Sequence, residues 1–208
     1  MRFKIRLLLL VTCYCLHIHA QDKRWGIQAG LNRFTISDLP EFHYTYLTGM
    51  HLGIVRSYNK YPFTFTPGVL YVKKGAGRDV NEKYAMQENR FILNCLEFKC
   101  AADIQLCKCN LMLPGSGPRI GIEPYFDYNI GGEVIDGFGD YAYSRDMVFG
   151  YHDKADGVRT SCGVKFYISM NCEVVEPYVG YDIGITGLSK KDNSLRNMGV
   201  YWGLIVNL

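Results

Sequence analysis

The chain has 208 residues, 48% apolar and 21% charged, enough for one sizeable domain or two small ones. That balance excludes a disordered charged tail, and no Gly-x-y period marks collagen. Twenty-two glycines, 16 tyrosines and 11 phenylalanines against two tryptophans favour strands and turns over a helical bundle.

Residues 1–20 carry Arg2, Lys4 and Arg6 ahead of an apolar stretch from Leu7 to Leu16, and end on the small Ala20. Such a stretch is too short to cross a hydrocarbon core of about 30 Å, which needs roughly 20 apolar residues. The pattern is that of a cleaved secretory signal, with a mature chain over 21–208. Leu10-Val11-Thr12-Cys13 loosely imitates a lipidation box, but only six apolar residues precede Cys13 and Thr12 sits where a smaller residue is usual. Cleavage removes three of the 23 cations and leaves 20 against 20 acidic side chains, so the formal charge of +3 belongs to the signal. Nucleic acid is therefore not expected as a partner.

Six of the eight cysteines lie beyond the signal: Cys95, Cys100, Cys107, Cys109, Cys162 and Cys172. An exported chain with an even count invites disulfides. However, Cys107-Lys108-Cys109 has neither redox nor zinc spacing, and Cys95, Cys100 and Cys162 fall inside strand-like runs, where cysteine behaves as a small apolar residue. A bridge among Cys107, Cys109 and Cys172 is the alternative.

No mature segment approaches 18 consecutive apolar residues, and convincing amphipathic helices are missing. Instead, period-two runs recur between turn residues. In chain order their apolar sets are Trp25, Ile27, Ala29 and Leu31; Tyr44, Tyr46, Met50, Leu52 and Ile54; Phe63, Phe65, Val69 and Tyr71; and Leu96, Phe98, Cys100, Ala102 and Ile104. There follow Ile120, Ile122, Phe126, Tyr128 and Ile130; Val158, Cys162, Val164, Phe166 and Ile168; Val175, Val179, Tyr181, Ile183 and Ile185; and finally Met198, Val200, Trp202, Leu204, Val206 and Leu208. Eight strands result. Their alternate faces carry glycine, tyrosine, asparagine and the charges Glu97, Lys99, Glu123, Asp127, Arg159, Lys165 and Asp182.

Alternation alone leaves two arrangements: a soluble barrel with the apolar set inside, or a membrane barrel with it facing lipid. Connection lengths separate them. Odd connections span 37–43, 74–89, 131–157 and 187–197, and even ones span 57–62, 105–117 and 169–173. Short turns alternating with longer polar loops mark an outer-membrane barrel with its N-terminus on the periplasmic side. The expected fold is an all-β, eight-stranded antiparallel up-and-down transmembrane β-barrel, its lumen filled by inward side chains. Glu97, Glu123 and Asp127 are expected to pair there with Lys99, Arg159 and Lys165, since buried charges need partners.

Trp25-Gly26-Ile27-Gln28-Ala29-Gly30-Leu31-Asn32 resembles the opening strand of the PorT-like outer-membrane β-barrel family of Bacteroidetes, and Pro67-Gly68-Val69-Leu70-Tyr71-Val72-Lys73-Lys74-Gly75 its third. Asn94-Cys95-Leu96-Glu97-Phe98 is similar to an N-Y-L-E-I-P segment, with Cys95 in place of Tyr and Lys99 in place of Pro. Gly121-Ile122-Glu123-Pro124-Tyr125 is similar to a Gly-x-Gly-Pro-Tyr strand, and Tyr181-Asp182-Ile183-Gly184-Ile185-Thr186-Gly187-Leu188 to Y-x-x-G-L-x-N-L. Barrels of this kind commonly end on an aromatic residue, whereas this chain ends on Leu208. The resemblance implies a closed barrel in the outer membrane, with outer-membrane lipid and envelope or secretion-machinery proteins as partners. It implies no single activity.

The catalytic inventory is thin. Mature histidines are His43, His51 and His152. His51, Ser161 and Asp127 are the residues that could meet in the lumen as a hydrolytic triad, which would make a lipid-modifying barrel enzyme. A soluble lipocalin-like carrier of an apolar ligand is the other alternative. Asp136, Asp140, Asp146, Asp153 and Asp156 crowd the 131–157 loop without EF-hand spacing. No cofactor is expected and the protein is read as non-enzymatic. The binding candidates are the aromatics of that same loop, Phe138, Tyr141, Tyr143, Phe149 and Tyr151, which either meet a partner or pack over the barrel mouth. Trp25, Tyr44, Tyr71, Tyr128, Tyr181 and Trp202 suit interfacial girdles.

Overall fold

A computed structural model describes residues 22–37, 44–79, 88–107, 116–136, 143–150, 156–172, 174–187 and 196–208. The segment read as a signal, 1–20, lies outside them, as do His43, Cys109, Phe138, Asp140, Tyr141, Tyr151, His152 and Asp153.

Nine strands are described: β1 (Asp22–Ser37), β2 (Tyr44–Lys60), β3 (Phe63–Asp79), β4 (Glu88–Gln105), β5 (Gly117–Asp136), β6 (Tyr143–Asp146), β7 (Thr160–Asn171), β8 (Val175–Gly184) and β9 (Arg196–Asn207). Eight of them close a ring in which each pairs antiparallel with its neighbours, β9 returning to β1 through pairs such as Leu31↔Trp202. The short β6 lies outside the ring, pairing with β5 from Asp136↔Tyr143 to Glu133↔Asp146. Closure removes the open edges that would template aggregation and satisfies the backbone without water.

The faces are inside out relative to a soluble barrel. Phe126, Phe166 and Trp202 are exposed, whereas Glu123 and Lys165 are buried. Along β1 the outward positions Trp25, Ile27, Ala29 and Leu31 give way to Arg33; along β3, Phe63 to Tyr71 give way to Lys73. These bands cover 7 and 9 residues, close to the roughly 9 to 11 residues of a tilted strand across hydrocarbon. Tyr71 and Tyr128 flank Leu96 in one cross-strand row, and Tyr181 lies level with Arg33 through Val200, forming an aromatic border at the upper edge.

Strands β1 to β5, of 16 to 20 residues, outrun that band. The excess lies at the end opposite the tight turns, so part of what reads as loop in 74–89 and 131–157 is a raised sheet made by the tops of β3, β4 and β5 with β6. A bulge hides it from the sequence: Asn94 faces Gly131 while Cys95 faces Asn129, so Ile130 is an extra residue. Beyond it the alternation slips by one, and Gly132 and Val134 turn inward instead of Gly131 and Glu133. Val158, assigned outward by alternation, is buried, because β7 begins only at Thr160.

Eight strands leave a narrow interior, and the sequence fits it by opposing large inward side chains with glycine. Tyr167 lies opposite Gly121, Tyr125 opposite Gly163, Tyr201 opposite Gly180 and Phe34 opposite Gly199. A Cβ on Gly121 would stand 2.5 Å from the Tyr167 ring, well inside contact distance. Gly121→Ala should therefore destabilise the barrel by about 1–3 kcal/mol, the usual cost of overpacking. The same change in a Tyr167→Leu background should be close to neutral. Urea midpoints in detergent micelles read both arms of this double-mutant cycle, and equal costs in the two backgrounds would refute the complementarity.

Candidate functional site

The inward face of β3, β4, β5, β7 and β8 carries a chain of ion pairs from wall to wall. Lys99 Nζ lies 2.5 Å from Glu123 Oε2, and Glu123 Oε1 lies 3.1 Å from Lys165. Lys165 also binds Glu97. Glu97 lies 3.3 Å from Lys74, which reaches Asp127 at 2.8 Å and Asp182 at 3.8 Å. The Tyr125 ring takes Lys74 at 4.2 Å and Lys165 at 4.9 Å, while its hydroxyl donates to Asp182 at 2.7 Å. Nearer the tight turns, Arg119 donates to Glu176 at 3.0 Å and lies 3.6 Å from Asp103. Ser169 donates to Glu176, and Tyr167 to Asp103, at 2.6 and 2.8 Å.

This arrangement keeps part of the sequence expectation and changes the rest. Glu97, Glu123, Lys99 and Lys165 pair as expected, and Asp127 finds a cation. That cation is Lys74, which lies not in the 74–89 connection but within β3, a strand that runs on to Asp79. Arg159 is not in the network: its guanidinium donates to the Asn129 carbonyl at 3.4 Å and lies over the rings of Tyr128 and Phe149. The Arg119 group was not anticipated, although Arg119 and Glu176 continue the inward parity of β5 and β8.

Above the charges an apolar lid of Ile36, Ala76, Leu93, Cys95 and Met147 closes the mouth, with Phe91, Val134 and Phe149 packed against it. Cys95 donates to Asn129 Oδ1 at 2.9 Å, so its thiol is engaged in the lumen wall. Cys95, Cys162 and Cys172 are free thiols, which removes Cys172 from the disulfide considered above. An inner void among Gln28, Glu123, Tyr178 and Tyr201 amounts to about 10 Å³, room for roughly one water. A packed, charged interior with greasy walls outside is the reverse of what an apolar-ligand carrier needs, which overturns the lipocalin-like alternative.

The proposed triad is not assembled. Ser161 donates to Asp127 at 3.2 Å across the β5–β7 pair, but His51 on β2 is hydrogen-bonded through Nε2 to the Tyr178 hydroxyl. Its ring packs with Tyr178 and Tyr201 at 5.9 and 6.3 Å.

Of the loop aromatics within the described residues, Tyr143 stands exposed on β6, whereas Phe149 is half-buried against the lid. The hairpin is tied by Arg145, whose two terminal nitrogens donate to Asp156 at 2.6 and 2.8 Å. Asp156 also accepts from the Val148 amide at 2.9 Å. Asp156 is thus committed to an arginine, and among the described residues no group of three or more metal-ligating side chains is brought together.

No known family profile matches the chain, and no curated protein does. Among solved structures it resembles Ail, the attachment invasion locus protein of Yersinia pestis, in complex with the heparin analogue sucrose octasulfate. That match has a TM-score of 0.49 at 9% identity, over 90% of this chain and all of that one. Neisserial surface protein A matches with a TM-score of 0.47 at 12% identity, with the same coverage. The likeness is one of fold alone.

Two tests follow from the geometry. Lys165→Met takes a cation from both Glu97 and Glu123, leaving them only Lys74 and Lys99, and removing one partner of a buried pair costs about 3–5 kcal/mol. Asp182→Asn should cost far less, because the lumen holds six carboxylates to four cations among the described residues, Asp182 Oδ2 makes no hydrogen bond, and Asn still accepts from Tyr125. Denaturant midpoints in micelles rank the two, and a reversed order would refute the network. In the outer hairpin, hydrogen bonds from Arg145 hold the Asp156 carboxyl below its ordinary value. The tie is therefore present above the ordinary Asp value of about 3.9 and is lost as pH falls through the lower folded one. The Val148 amide resonance should titrate with a midpoint below about 3.9. A midpoint at or above it would overturn the assignment.

Proposed function

We propose that this chain is a non-enzymatic integral protein of a bacterial outer membrane, exported by a signal over 1–20 and related to the PorT-like barrels its segments resemble. It anchors a raised outer sheet that meets another component of the cell envelope. The carrying observation is the pairing of an outward apolar band with a lumen sealed by its own ion pairs: hydrocarbon is the solvent that suits such a wall. The plugged interior favours a scaffold over a pore, and the separation of His51 from Ser161 and Asp127 favours a non-catalytic role. The partner surface is the top of β3–β5 with β6, where Tyr143 and Val148 are exposed. Phe138, Tyr141 and Tyr151, outside the described residues, are neighbours of this hairpin in sequence and belong to the same proposal. Envelope or secretion-machinery proteins fit it as partners.

Sucrose-gradient fractionation of the expressed protein should place it with the outer membrane, and unheated samples should run faster on gels than boiled ones. A form that stays soluble without detergent after signal removal would refute the reading. Leu52, beside Ala29 at the middle of β1, is an outward position near mid-band. Leu52→Arg should destabilise the vesicle-embedded barrel by about 2–4 kcal/mol, whereas Tyr143→Arg above the band should leave its urea midpoint unchanged.

A further inference from the structure

A concavity of about 1240 Å³ runs along the outside of the barrel at the end of the tight turns. Its walls are outward side chains, with Phe63 and Phe65 on one side and Phe166 and Ile168 on the other. Its floor is shallow where the outward position Ala102 presents only a methyl group. Asp103 touches the floor, but its carboxylate is turned to the lumen, held by Tyr167 and near Arg119.

One edge of the concavity is charged. Arg56, Tyr58 and Lys60 occupy successive outward positions at the end of β2, and Tyr58 and Lys60 line the groove. The Arg56 guanidinium rests 5.0 Å from the Trp25 ring and 5.3 Å from that of Tyr58, and its buried Nε has no hydrogen-bond partner. Among the described residues no carboxylate pairs with Arg56 or Lys60. The cations stand four residues apart on one strand, about 13 Å at 3.3 Å per residue. Interfacial cations beside an apolar trough match a molecule with a negative head and long hydrocarbon tails.

We propose that this groove binds an anionic phospholipid of the periplasm-facing leaflet, with its acyl chains between Phe63 and Phe166 and its phosphate on Lys60 and Arg56. The proposal rests on the membrane reading above and adds a lipid class and a place to it. The aromatic faces of Trp25 and Tyr58 hold the Arg56 side chain in position. Its guanidinium is engaged by the two rings alone among the described residues, and a guanidinium fork is well suited to phosphate oxygens.

The test uses Trp25 as reporter, in a Trp202→Phe background that leaves it the sole tryptophan. The protein is reconstituted into phosphatidylcholine vesicles containing a fixed fraction of either phosphatidylglycerol or phosphatidylcholine brominated high on the acyl chain. Brominated phosphatidylglycerol should quench Trp25 more strongly. Arg56→Gln and Lys60→Gln should each lower the relative association by about fivefold, and the double variant should abolish the preference. Ala102→Phe, which fills the floor without touching charge, should also reduce it. Equal quenching by both lipids, or a preference that survives the double variant or Ala102→Phe, overturns the proposal. These results require protein that floats with the vesicles and shows the heat-dependent gel shift. Protein that does neither, and is quenched by neither lipid, instead overturns the membrane reading on which the proposal stands.

Discussion

The lumen ion-pair chain is the interaction on which the rest of the structure depends. Eight strands enclose a space that their own side chains must fill, and no bulk water is available there to solvate a charge. Lys74, Lys99 and Lys165 can sit inside only because Glu97, Glu123, Asp127 and Asp182 reach them from other strands. Those pairings join β3 to β8 and β4 to β7, strands that share no backbone ladder. They also fix register, since a slip of one residue on any strand would turn its cations into hydrocarbon and its isoleucines into the charge network. The glycines opposite Tyr125, Tyr167 and Tyr201 follow from the same crowding: rings large enough to span the interior fit only where the neighbouring strand gives up its Cβ.

Most of the wall was legible because one physical signal, period-two polarity, runs through it. Phe126 out and Glu123 in could be read two ways from alternation, and the parity of short and long connections chose the correct one. Lys74 was missed for a local reason. Lys73 and Lys74 stand side by side before Gly75, and such a cluster resembles a loop, yet one lysine faces outward and the other lies on a carboxylate. Arg159 was misassigned by the opposite error, an inward parity extended past the start of β7 at Thr160, where the side chain instead lies over Phe149. The raised sheet was obscured by the single extra residue at Ile130, which breaks the pattern without breaking the strand. Which acid meets which base was never in the sequence, because those pairs span separations of 16 to 108 residues and depend on strand order around the ring.

The two ends of the barrel are built differently, and the difference separates anchoring from contact. Below the lid the charge chain ties β3, β4, β5, β7 and β8 together through buried pairs, so moving one of these strands relative to another breaks pairs at several kcal/mol each. Above the lid the β5–β6 hairpin is tied by the Arg145–Asp156 pair, in which Arg145 is substantially exposed; such pairs contribute about 0–1 kcal/mol. An outer partner can therefore reshape the hairpin at small cost while the wall below stays fixed. A coupling that ran through the lumen would have to break the strongest contacts in the molecule to move a hairpin held by some of the weakest. The partner contact proposed at the top and the lipid contact proposed at the bottom are accordingly independent of one another.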